Sequence, residues 1–103
     1  MAYSALLSPI TIGNMRLPNR VIMAPLTRLR SADTTDVKAG IGGNATALMA
    51  EYYSQRASAG MIITEATDIS PDAKGYAGAP AIYNDEQVEA WRQVTDGVHQ
   101  AGG

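Results

Sequence analysis

Cysteine is absent from this 103-residue sequence. That excludes disulfides and thiolate metal sites. Clustered basic charge is missing too. Eight Lys and Arg stand against ten Asp and Glu, for a net charge of −2, and Arg28 and Arg30 are the only close basic pair. Phosphate recognition needs a concentrated positive surface, so nucleic acid is not expected as a main partner. No run approaches the roughly 20 apolar residues that cross a bilayer, so no membrane partner is expected. The opening Met1-Ala2-Tyr3-Ser4-Ala5 lacks the basic start and long apolar core of a signal peptide, and a cytoplasmic protein is the expectation. A single histidine, His99, makes neither a metal site nor a triad. Repeats and low-complexity segments are lacking as well.

What remains is ordinary globular composition, 46% apolar. This length suits one unit over 1–103. Gly13-Asn14 is a two-residue turn signal between short alternating segments, which predicts a small hairpin ended by Pro18. Val21-Ile22-Met23-Ala24 is a continuous apolar run, the pattern of a strand buried on both faces, and Pro25 ends it. Ser31 to Asn44 is polar and Gly-rich, a long loop that is functional or mobile. A helix is predicted over Ala45–Ala59, capped by Asn44 or Thr46. Leu48, Met49, Tyr52 and Ala59 are expected on its buried face, with Glu51, Gln55 and Ser58 towards water. Gly60 is expected to stop it as a left-handed residue.

Met61-Ile62-Ile63-Thr64 reads as a second buried strand. Ile69 to Tyr83 carries Pro71, Gly75, Gly78 and Pro80 and reads as an excursion. Asn84-Asp85-Glu86-Gln87 has the form of a capping box. The helix behind it places Val88, Trp91, Val94 or Thr95, and Val98 at helical spacing, and Gly102-Gly103 stops it. The order is hairpin, strand, helix, strand, helix, a βαβα unit of the parallel α/β class. Two parallel strands do not make a stable sheet, and a (β/α)₈ barrel takes about 250 residues. The pattern therefore implies part of a larger fold, or a chain completed by a partner. In such barrels, sites form at the C-terminal ends of the strands. Here those ends are Ala24-Pro25-Leu26-Thr27-Arg28 and Glu65-Ala66-Thr67, with the excursion and its Tyr76 above them.

The runs NRVIMAPLTRLRS, LMAEYYSQRASAGMIITEATDIS and KGYAGAPAIYNDEQVEAWRQVTDGVHQAGG resemble the old yellow enzymes, most nearly the bacterial N-ethylmaleimide reductase-like branch. The likeness extends over nearly the whole chain, in order. It implies the N-terminal portion of a TIM (β/α)₈ barrel: a lid hairpin plus two βα units, incomplete as a stand-alone fold. It further implies an FMN-dependent ene-reductase that draws hydride from NADH or NADPH and reduces activated alkenes such as enones and maleimides. By the same resemblance, Pro25, Leu26 and Thr27 line the flavin, and the Thr27 hydroxyl bonds the ring carbonyl near the reactive nitrogen. Ala66 packs close to the ring, and Tyr76 lines the substrate pocket. The family's substrate-binding His pair, or His and Asn, and its proton-donating Tyr lie on later strands, so no catalytic residue is assigned here. An isolated 103-residue chain is expected to be inactive. The long Gly-rich loop departs from the family, whose members have a shorter stretch, often with proline before the helix.

Plainer readings stand beside these. Pro25 can be a strand terminator and Thr27 a turn residue. Tyr76 can be a surface aromatic of a Gly-rich loop. Glu65, at a strand end, is expected to hold a structural hydrogen bond or ion pair. Arg28 and Arg30 can contact phosphate or be solvated, His99 is expected on a helix surface, and Tyr52 and Tyr53 are expected to pack. Gly40-Ile41-Gly42-Gly43-Asn44-Ala45, with Glu65 behind it, fits G-x-G-x-x-A, but no strand leads directly into its first glycine, as a dinucleotide site needs. Two alternatives remain: a nonenzymatic assembly module, whose open strand edges pair with the missing barrel segment or with a second copy, and an isolated remnant that does not fold stably.

Overall fold

The structure, a computed structural model, describes residues 3–32 and 42–103. Most of the long polar loop lies outside the described residues, as do Gly40 and Ile41 of the glycine motif.

The hairpin forms as the turn signal predicts. β1 (Ile10–Ile12) pairs antiparallel with β2 (Met15–Leu17), with Ile12 opposite Met15. Gly13 takes φ 58° in the turn, a conformation that lacks a steric penalty only without a Cβ. Leu17 is its buried residue.

β3 (Ile22–Met23) and β4 (Met61–Ile62) pair in parallel, Ile22 with Met61 and Met23 with Ile62. Both are shorter than the apolar runs Val21–Ala24 and Met61–Thr64. Burial on both faces is not found: Ile22 is 36% exposed and Ile63 43%. The reason is geometric, because the faces of a sheet are buried by layers packed on them, and among the described residues Met23 and Ile62 pack on the single cluster of α1 and α2.

α1 (Ala47–Ser54) is capped by Thr46, whose hydroxyl accepts from the Met49 N–H. Asn44 instead donates its side-chain amide to Glu86 Oε1 at 2.8 Å. Past Ser54 the expected helix tightens into turns, with Arg56 N–H donating to Tyr53 O, Ala57 to Ser54 O and Ala59 to Arg56 O. Such three-residue steps commonly satisfy a helix's last carbonyls. The buried stripe is Ala45, Met49, Tyr53 and Ala57, a run of i, i+4 steps. Leu48 is 58% exposed, and Tyr52 and Ala59 are half-buried, so the expected face is rotated by one residue. Gly60 is not left-handed either. Its backbone passes so close to Asn19 that a Cβ would stand 2.1 Å from the Asn19 carbonyl oxygen. Close approach, not handedness, is why glycine stands there.

α2 (Asp85–Gln100) opens with the capping box: Asn84 Oδ1 accepts from the Gln87 N–H at 2.8 Å and Gln87 Oε1 accepts from the Asn84 N–H at 3.2 Å. It closes as the glycine pair predicts. Gly102 has φ 95°, its N–H donates to His99 O, and Gly103 donates to Val98 O, the paired bonds of a Schellman ending. Trp91 and Val94 are buried, Val98 half-buried, and Val88 and Thr95 exposed. α1 packs on α2 through Met49, Tyr53, Trp91 and Val94, with Met23 and Ile62 of the strands against the same cluster. The excursion between β4 and α2 holds a 3₁₀ turn at Pro71–Ala73. Among the described residues no helix is long and apolar enough to cross a membrane.

Candidate functional site

Because β3 and β4 run parallel, the chain leaves both strands on the same side. Residues 24–28 and 63–67 therefore share one edge of the molecule. Pro25, Leu26, Thr27 and Ala66 are all exposed there. Among the described residues none of the four has a hydrogen bond. The backbone N–H groups of Leu26, Thr27 and Ala66, and the Thr27 hydroxyl, are thus free to bond outside the chain.

Beneath this edge lies a buried polar pair. The Tyr53 hydroxyl donates to Glu65 Oε2 at 2.7 Å and accepts from the Glu65 N–H at 3.0 Å. Both residues are almost fully buried. Desolvation by burial, the largest cause, pushes the Tyr53 phenol above its ordinary value of 10.0; the carboxylate raises it further, while the bond from the Glu65 N–H opposes the shift. Tyr53 therefore stays a proton donor at neutral pH. Glu65 Oε1 is buried without a partner among the described residues. Glu65 holds the structural hydrogen bond expected of it. Turned inward, it is also no ribose acceptor, which removes the acidic partner of the glycine motif.

A cleft of about 250 Å³ lies beside the pair, bounded by Arg28, Arg30, Met49, Tyr52 and Glu65 among others. Arg30 curls back to the carbonyls of Arg28 and Leu29, and Arg28 sits 5.9 Å from the Tyr52 ring centroid. Leu29, at φ 59°, turns the chain here. The turn lies against Gly78, where a Cβ would meet the Leu29 carbonyl oxygen at 2.7 Å. Ser31 fastens it by donating both its N–H and its hydroxyl to Gly78 O.

That tie brings the excursion alongside the β3 exit, but Tyr76 itself is 70% exposed and its side chain makes no hydrogen bond or ring contact among the described residues. His99 is exposed in the last turn of α2. Sequence reasoning missed the Tyr53–Glu65 bond, because the choice between two adjacent tyrosines is made by the packing of α2.

A hairpin followed by two βα units, with a polar edge at the strand exits, is the N-terminal portion of a TIM barrel. The residues 5–103 match the family model described as NADH:flavin oxidoreductase / NADH oxidase family. The chain belongs to that family and corresponds to the N-terminal part of an old yellow enzyme. It is 48% identical over 99 residues to chanoclavine-I aldehyde reductase of Penicillium roqueforti, an alignment covering 94% of this chain and 25% of that protein. It is 46% identical over 98 residues to a probable flavin mononucleotide-dependent alkene reductase of Leishmania infantum, covering 95% of this chain and 25% of that one. The old yellow enzyme homologue of Zymomonas mobilis superposes with a TM-score of 0.83 at 50% identity, covering 96% of this chain and 26% of the other. The chain thus spans about a quarter of the length of the relatives it matches.

Proposed function

We propose that this chain is the N-terminal part of the FMN-binding barrel domain of an NAD(P)H-dependent ene-reductase acting on activated alkenes, with 1–103 forming one unit. The observation that carries this reading is the shared strand-exit edge. There, free N–H groups and the Thr27 hydroxyl stand beside a residue as small as Ala66. A flat, polar-edged ring system needs that combination: donors at its rim and no bulk against its face. Pro25, Leu26 and Thr27 would line the flavin and Ala66 would lie close to it. Tyr76 would contact the substrate. Bound FMN would supply hydride transfer, from NADH or NADPH to the alkene. The Thr27 hydroxyl, as donor, would favour negative charge on the nearby ring carbonyl.

No catalytic residue is assigned among the 103, and the purified chain is expected to show no sustained NAD(P)H-dependent reduction of a maleimide or enone. The test is gel filtration after incubation with FMN, read by visible absorbance. Flavin is expected to travel with the protein. An Ala66→Leu variant is expected to bind at least roughly tenfold more weakly with an unchanged melting temperature, since Ala66 is exposed. Equal FMN affinity in that variant would remove Ala66 from the site.

A second reading has its own support. Among the described residues each of the two parallel strands has one unpaired edge, and a groove of about 520 Å³ runs beside β4, lined by Met61, Ile62, Val94 and Val98 among others. These suit an assembly module that pairs with a complementary barrel segment or with itself.

A further inference from the structure

We infer that Tyr53 and Glu65 form a positioning clamp that sets the Glu65–Ala66 peptide at the strand-exit edge, and so tunes how tightly that edge holds a flavin; the flavin half of this inference rests on the proposed function above.

Four observations carry it. First, the backbone of β4 is held to β3 only as far as Ile63, whose N–H donates to Met23 O at 3.0 Å. It is next held at Asp68, whose N–H donates to Pro80 O at 2.9 Å. Among the described residues, the one bond between those points that ties the backbone to another element is Glu65 N–H to the Tyr53 hydroxyl. Thr67 adds only a local bond from its hydroxyl to Glu65 O. Ala66, the residue nearest the proposed flavin face, thus hangs directly beside a single anchor.

Second, the anchor is reciprocal. The same hydroxyl that accepts from the Glu65 N–H donates to its carboxylate at 2.7 Å. Backbone and side chain of one residue are therefore fixed together by one oxygen. Third, the ring that carries that oxygen is packed on both sides. The Tyr53 ring is 1% exposed and sits edge-on to Tyr52, with centroids 5.3 Å apart, and tilted against Trp91 at 6.2 Å. The clamp thereby transmits the packing of both helices to the strand exit. Fourth, the phenol carries its proton throughout the neutral range, as an ordinary phenol does, and burial raises its pKa further, so the donor half of the clamp is kept there.

A plain core tyrosine would need only the ring. The hydroxyl is what the clamp requires, and Tyr53→Phe separates the two, since phenylalanine keeps the ring between Tyr52 and Trp91. Amide exchange of the full chain, followed by NMR, is expected to speed up at Glu65 by about tenfold, the loss of one ordinary hydrogen bond. The amides of α2 should change only by a smaller, uniform factor. Glu65→Gln keeps both the N–H donor and an acceptor for Tyr53, and is expected to retain slow exchange at position 65. Equal acceleration at all amides in Tyr53→Phe would overturn the clamp. FMN titration of the same proteins tests the second half. Tyr53→Phe is expected to weaken binding about tenfold, and Glu65→Gln to stay near the wild type. Unchanged affinity alongside faster local exchange would overturn the tuning role. Wild-type chain whose Leu26, Thr27 and Ala66 amide signals do not move with FMN would overturn the flavin reading, while the exchange comparison alone would still decide the clamp.

Discussion

Tyr53 shows how one hydroxyl can make a stability depend on pH. Its folded-state affinity for the proton is raised by burial above the ordinary value of 10.0. The stabilisation linked to that shift is complete below about pH 10, where the unfolded phenol is also protonated. It is lost as pH climbs beyond that point, because the unfolded chain then releases a proton that the folded one retains. The wild-type melting temperature is therefore expected to fall from about pH 10 upward, and that of Tyr53→Phe to fall less over the same range. Parallel declines would detach Tyr53 from the alkaline transition. Which tyrosine carries this role was not legible from spacing, since Tyr52 and Tyr53 both suit a packed helix. Tyr52 instead lies half-buried under the Arg56 guanidinium, 3.9 Å from the ring centroid. Glu65, by contrast, was legible as a structural hydrogen-bonding residue, because a carboxylate at a parallel strand exit must find a donor or meet solvent.

Among the elements, α2 was read most completely, and its signals are local. A cap with its partner three residues on, an apolar 3–4 spacing and a terminal glycine need no knowledge of the rest of the chain. What spacing did not reveal is that Gln87 serves more than the cap. Fully buried, it accepts from the N–H groups of Tyr83 and Asn84 and donates through Nε2 to Gly42 O at 2.9 Å. It thereby joins the start of α2 to the approach to α1. Asn84→Ala is expected to cost about 1 kcal/mol, the usual value of an N-cap. Gln87→Ala removes three hydrogen bonds made by one buried side chain and should cost more, about 2–4 kcal/mol. Urea unfolding measures both, and equal losses would mean that the Gly42 bond contributes nothing. α1 and the strands were read less well, since their faces and lengths are set by neighbours distant in sequence. That the two strand exits share one edge was nonetheless legible, because parallel order alone sends both to the same side.

For the whole molecule, extent is the telling quantity. The radius of gyration is 15.5 Å and the principal extents are 53 × 24 × 23 Å, where a compact domain of this length has a radius of about 13 Å. The accessible surface, 6655 Å², exceeds the roughly 5,600 Å² of a compact monomer of this mass. Leu6, Leu7, Ile12, Met15, Leu26 and Ile63 are among the apolar residues left exposed. Such a shape, with unpaired strand edges, favours association. Light scattering of the purified chain is expected to show an apparent mass that rises with concentration. A constant monomer mass would count against the assembly reading. Sequence patterning could mark the strands as parallel and apolar, but not how much of them two strands and two helices would leave uncovered.

The Ala32–Asn44 bridge carries a last consequence. Ala32 N–H donates to Asn44 O and Gly43 N–H donates to Ala32 O, while Gly43 O accepts from Ala81 N–H. Three segments of chain are thus stitched at one point, on the near side of residues 33–41. A stitch of this kind works as a firebreak: changes in length beyond it need not reach the strand exits or the start of α1. A tag or reporter spliced in at 33–41 is therefore expected to leave the exits of β3 and β4 in place.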